Sequence, residues 1–301
     1  MFTTSTGRLH PVWAFVVSAL FSALAFLVAG FAAGAIAGDR VLLFEAIFRP
    51  LLALLLIAVF AWLLTAADHI EDHRVAALGL PHAKGWLQQF AIGCLVGFVL
   101  TVLAIVPIAI WGHASARFRL SVHTLPRVGA VLLILLLGAL AEELIFRGYP
   151  FQHLEQGIGA IGAIAVFSVM FGAVHLANPG ASLWGLINTI LIGVLLSISY
   201  LRTRALWLPW GIHFGWNFAL GFLLGLPVSG IRLFNVVVRT TVSGPKWVTG
   251  GSYGLEASAT AVIVILIGVV VVWKLPLARL AQPAPTLPET EYRDSLSGIQ
   301  P

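Results

Sequence analysis

VLLILLLGALAEELIFR, running from Val131 to Arg147, begins as an unbroken apolar run and then sets two carboxylates and a guanidinium within six positions. Ionisable groups inside a membrane-crossing helix cost several kcal/mol, roughly, so those that persist need a partner or a task. Glu143 and Arg147 stand four apart with the acid on the amino-terminal side, the favourable order for a helical ion pair. Glu142 lies about 100° further round the helix. One carboxylate therefore takes the arginine and the other is left for different work, such as general-base chemistry. A structural salt bridge beside a snorkelling glutamate accounts for the same three residues.

The rest of the chain supplies the setting. Of 301 residues, 59% are hydrophobic and 10% are charged, against about 25% charged in soluble domains. Too few charges remain to coat a water-soluble globule. The single cysteine, Cys94, excludes a disulfide framework and Cys-rich zinc sites. The net charge of +5 comes from scattered cations with no basic cluster, which argues against nucleic acid. The expectation is an all-α polytopic membrane protein.

A helix needs about 20 apolar residues to span the hydrocarbon core. Eight runs qualify: Val12–Ala37, Leu51–Ala66, Trp86–Trp111, Val128–Phe146, Ile158–Ala177, Leu183–Leu201, Leu206–Leu226 and Ala257–Trp273. The first ends in Ala35-Ile36-Ala37, which resembles a signal-peptidase site, but it is about twice the usual length of such a segment and reads as a retained span. The organisation expected is amino-terminal spans over 1–127, a core of four spans over 128–226, a loop over 227–256 long enough for a lid or short hairpin, a last span over 257–274, and a flexible proline-rich tail over 275–301. With the amino end inside, Arg8, Arg74, Lys84, Arg202, Arg204, Lys274, Arg279 and Arg293 fall inside. Arg40, Arg49, Arg117, Arg119, Arg127, Arg232, Arg239 and Lys246 then fall outside. Loop charge does not choose an orientation.

Two further spans carry polar side chains. His175 closes Phe171-Gly-Ala-Val-His175, where a lone histidine also serves as an interfacial anchor. His213 and Asn217, four apart in the seventh span, share a helix face and form a donor pair that could point at one oxygen or bond between helices. Carboxylate, two imidazoles and an amide together suit a water-activated acyl-transfer site. No other span supplies a charged partner, and no inverted repeat or broken helix suggests a transporter. Ser168, Thr189 and Cys94 lack a histidine within one helical turn and read as packing residues.

The ordered set Glu142-Glu143-x-x-x-Arg147, Phe171-x-x-x-His175 and His213-x-x-x-Asn217 resembles the three motifs of the CAAX-processing and bacteriocin-processing (CPBP) intramembrane proteases, a family that includes the type II CAAX prenyl endopeptidases. Every motif position agrees, over roughly Val128–Leu226. The resemblance implies an intramembrane peptidase in which Glu142 and His175 activate water and His213 and Asn217 stabilise an oxyanion, with Glu143, Arg147 and Phe171 supporting them. It implies a hydrophobic or membrane-embedded peptide as partner, and the inner membrane of a bacterium as the location. The family is often described as metalloendopeptidases, and Glu142, His175 and His213 are a possible zinc (Zn2+) set. HExxH is absent, however, and a glutamate–histidine water site needs no metal, so an obligatory zinc is not expected. The rival from another class is a non-catalytic scaffold or bacteriocin-immunity protein that keeps these residues for structure.

Helix rise tests whether the site can assemble. Measured from a turn near Gly157–Gly159, His175 lies about 27 Å away, and Glu142 about 22 Å if the helix runs on past Arg147. The expectation is that 149–156 is helical despite Pro150, with a kink there. His213, about six residues into its span, would miss His175 by more than roughly 10 Å in plain antiparallel helices.

Overall fold

The computed structural model describes residues 11–66, 78–82, 84–119 and 124–277. The tail beyond 277 and four cations of the orientation count (Arg8, Arg74, Arg279 and Arg293) lie outside them.

Eight helices of more than one turn are found among the described residues. They are α1 (Pro11–Ala37), α2 (Val41–Ala66), α3 (Trp86–Trp111), α4 (Leu125–Arg147), α5 (Tyr149–Val174), α6 (Leu183–Thr203), α7 (Trp207–Asn217) and α8 (Ala259–Lys274). Five apolar helical stretches are long enough to cross a membrane, which does not reproduce the expected eight spans. Two of the expected spans fall within one such stretch, Leu125–Ala177. At 11 and 16 residues, α7 and α8 reach only about 16 and 24 Å. Leu24, Phe31 and Ile161 are among many large apolar side chains on the outer surface, as lipid contact requires. The chain is a multi-pass membrane protein.

Sequence reading placed the start of the second span ten residues late. Glu45, Arg49 and Pro50 interrupt the apolar run, yet α2 passes through all three. Arg49 Nε donates to Glu45 Oε2 at 2.8 Å, a neutralising i,i+4 pair that lets both enter the helix.

The α4–α5 junction fits the expected helix over 149–156 but moves its break. Gly148 leaves helical geometry (φ −78°, ψ −142°), and Pro150 then sits in the first turn of α5, where its missing N–H is harmless. The fold therefore bends at Gly148 rather than at Pro150. α5 is broken by a kink at Gly159 (φ 78°, ψ 166°), a conformation open to glycine and strained for other residues. The second arm of α5 then carries Phe171 and ends at His175, where a 3-10 turn (His175–Ala177) begins.

The all-α expectation fails in one place. β1 (His113–Phe118) and β2 (Val238–Ser243) pair antiparallel, joining the segment after α3 to the 227–256 loop. That loop is neither a hairpin nor free of the core. Val228, Phe234 and Leu255 are buried, and Gly230 N–H donates to Tyr253 O at 3.0 Å. Gly230 lies against Pro179 and Gly180 against Ser252, so the loop packs over the α5–α6 turn.

Candidate active site

Four helices bring polar side chains to one chamber, whose walls also draw on α1, α6, α8 and the loop. α4 contributes Glu142 and Glu143, α5 leads to His175, α7 contributes His213 and Asn217, and α2 adds Arg49. All but the buried Glu143 line a mostly apolar cavity of about 710 Å³.

Close packing of α7 against α3 positions His213. Gly93 and Gly97 of α3 face Gly211 and Gly215 of α7. A methyl on Gly93 would strike Leu208 O and Gly211 Cα, and one on Gly215 would strike the Cys94 backbone. These are two facing GxxxG motifs, and close backbone approach replaces the hydrophobic drive that lipid removes. They flank His213, and the sequence held that signal unread. The start of α7 is anchored by Leu206 N–H to Gly79 O (2.6 Å) and Trp207 Nε1 to Pro81 O (2.9 Å). Ala205, Leu206 and Leu208 are fully buried, so α7 begins inside the protein rather than at its surface. The depth gap expected for His213 is not found, since its Nε2 lies 3.7 Å from Glu142 Oε2. Asn217 ends α7, where the helix widens into a π turn (Phe218–Leu223), a distortion frequent at functional sites.

The acids divide as their helical spacing implies. Glu143 and Arg147 are wholly buried, with Arg147 NH1 to Glu143 Oε1 at 3.3 Å. Arg147 NH2 also donates to Gly193 O at 3.1 Å, and its guanidinium lies 4.6 Å from the centre of the Phe171 ring. Glu143 Oε1 is 2.8 Å from His213 Nδ1, which makes Nδ1 the donor and aims Nε2 at Glu142. His175 Nδ1 lies 2.6 Å from Phe171 O. A carbonyl only accepts, so His175 Nδ1 is the donor and Nε2 faces Glu142. The Phe171 ring packs on both imidazoles, at 4.7 and 6.0 Å between centroids.

Glu142 is where the expectation of an unpaired carboxylate fails. Its Oε1 takes Arg49 NH1 from α2 at 3.3 Å, and Gly138, one turn earlier, leaves room for the arginine stem. Another helix therefore does supply a charged partner, one that the late start read for α2 had assigned to a loop. Oε2 has no hydrogen-bond partner among the described residues, and it lies 4.0 Å from His175 Nε2 and 3.7 Å from His213 Nε2. One water molecule fits such a gap as a bridge.

A second carboxylate went unnoticed because it lies in the loop. Glu256 lines the same cavity and accepts from Trp216 Nε1 (3.0 Å) and from the Ser229 N–H. Asn188 Nδ2 clamps the backbone on either side, donating to Glu256 O at 2.8 Å and Ser258 O at 2.9 Å. Burial pushes the Glu256 carboxyl above the usual range, the two N–H donors opposing it. Thr189 donates to Gly185 O and borders the cavity. Ser168 packs on Gly193, and Cys94 on the α3–α7 crossing.

Zinc fits the expected set poorly. Tetrahedral ligands at about 2.0–2.1 Å from the metal stand about 3.4 Å apart, whereas Glu142 Oε2 is 3.7 and 4.0 Å from the two imidazole nitrogens. Arg49 already holds the other carboxylate oxygen, placing a fixed cation where a second would be repelled. No three His, Cys, Asp or Glu side chains among the described residues are arranged to hold a metal ion.

Fold and site together define a polytopic membrane protein with a carboxylate–imidazole–amide cluster on a largely apolar cavity. The family model for type II CAAX prenyl endopeptidase Rce1-like proteins matches residues 124–219, about a third of the chain, so this part is similar to a protease family, consistent with the CPBP resemblance. The match contains all seven residues of the three motifs. No curated protein and no solved structure matches the chain.

Proposed function

We propose that this chain is an intramembrane endopeptidase of the inner membrane of a bacterial cell, which hydrolyses a peptide bond with water activated by Glu142 and His175. The observation that carries the reading is Glu142 Oε2, an oxygen without a hydrogen-bond partner that faces two imidazole nitrogens across a gap sized for water. The catalytic core is 128–226, with Arg49 and Glu256 contributed from outside it.

Water hydrogen-bonds to Glu142 Oε2 and to His175 Nε2. Glu142 takes one of its protons as the hydroxide oxygen bonds to the carbonyl carbon. The carbonyl oxygen becomes an oxyanion held by His213 Nε2–H and the Asn217 amide. As the C–N bond breaks, the Glu142 carboxyl returns its proton to the departing amine. With His213 Nδ1–H donated to Glu143, an Nε2–H for the oxyanion requires the imidazolium form, which Glu143 stabilises. The apolar walls, including Phe26, Leu52, Phe146 and Met170, suit a hydrophobic or membrane-embedded peptide.

The test compares membrane-protein fragments in cells carrying the wild type and Glu142→Gln at equal protein level. Fragments present only with the wild type are expected. Identical fragment sets would refute the peptidase reading and leave the scaffold or immunity role.

A further inference from the structure

The β1–β2 sheet lies at the end of α3, and none of its residues lines the site cavity. Its register sets His113 against Ser243, Ser115 against Thr241 and Arg117 against Arg239. These six residues are exposed; on the opposite face β2 turns Val238 and Thr240 into the protein, while Ala114, Ala116 and Phe118 of β1 stay exposed. Arg119 N–H donates to Val237 O at 2.8 Å, continuing the ladder and keeping Arg119 on the face of Arg117.

Side chains directly opposite in such a ladder have Cβ atoms about 4.5–5.5 Å apart, and like charges there repel. The flanking residues 112–141 and 225–255 contain neither Asp nor Glu, and no ion pair to these arginines is found among the described residues. Three guanidiniums with the Ser115 hydroxyl beside them match a tetrahedral anion, the Thr241 hydroxyl donating to Ser115 O. The position of the sheet selects the source of that anion. Trp111 and Trp247 pack at 6.0 Å where α3 meets the sheet, both exposed, as aromatic side chains at headgroup depth are. Leu103, Val106 and Ile110 continue down α3 from that point as an exposed apolar stripe.

We propose that this sheet face binds the headgroup phosphate of an anionic phospholipid, whose acyl chains lie along the exposed stripe of α3. Arg117 and Arg239 clamp the phosphate, and Arg119 adds charge. This assignment is independent of the peptidase reading.

The test titrates the full-length protein, in neutral detergent, with short-chain phosphatidylglycerol and follows melting temperature. Saturable stabilisation is expected, with none from short-chain phosphatidylcholine. The Arg117→Gln/Arg239→Gln variant is expected to bind about 30-fold more weakly, two surface cations being removed. Lys84→Gln, before the far end of α3, is expected to keep the wild-type response. Wild-type affinity in the double variant would overturn the proposal, as would equal stabilisation by phosphatidylcholine. Equal stabilisation by inorganic phosphate would overturn the lipid as source.

Discussion

Replacing Arg147 with methionine keeps most of the side-chain volume and removes one charge of a pair that water does not reach. Arg147 and Glu143 are both 0% exposed, so the substitution strands a carboxylate whose remaining contact is His213 Nδ1 at 2.8 Å. Breaking a buried pair in this way costs about 3–5 kcal/mol. The Gly193 carbonyl also loses its donor. At roughly 2–3 °C per kcal/mol for a chain of this size, melting should fall by about 6–15 °C. Fluorimetric melting in neutral detergent measures it. The control is Glu143→Leu/Arg147→Met, which leaves no lone charge and should recover much of the loss. It should still be inactive, because His213 then lacks its acceptor on Nδ1. Unchanged melting in Arg147→Met, or a double variant no more stable than the single, would refute the buried-pair argument.

Three further outcomes follow from the same geometry. Arg49→Ala frees Glu142 Oε1 and should lower kcat about tenfold to a hundredfold with KM nearly constant, and Arg49→Lys should restore part of it; a change confined to KM would contradict a positioning role. Gly97→Ala forces a methyl against Ile212 O at the α3–α7 crossing and should cost about 1–3 kcal/mol in a melting assay, whereas Gly129→Ala, with open space around it, should not. Glu256 has a raised carboxyl value in the folded protein, so its contribution to stability is full below the ordinary carboxyl range near 4.3 and lost as pH rises through the raised value. Melting followed against pH should decline over that window, and Glu256→Gln should flatten the decline; parallel curves would count against it.

Membrane character and the residues of the three motifs were legible because both are local in the chain. An apolar run declares itself by length, and i,i+4 spacing fixes which side chains share a helix face. The Glu143–Arg147 pair and the His213–Asn217 face were readable for that reason. Helix ends were less so. Glu45 and Arg49 looked like loop residues because hydropathy counts charges singly, whereas their mutual bridge admits both into α2.

The amino-acid sequence by itself determined that the chain enters a membrane and which polar side chains it carries there. Only the tertiary structure decided that Arg49 meets Glu142 across 93 positions, that the 227–256 loop brings Glu256 to the cavity, and that residues 113–118 find a strand partner at 238–243. Burial and spacing are set within a few turns of helix, but an ion pair or a β-ladder between distant segments depends on how whole helices cross. At the α3–α7 crossing that depends on four glycines, whose missing side chains let the two backbones touch.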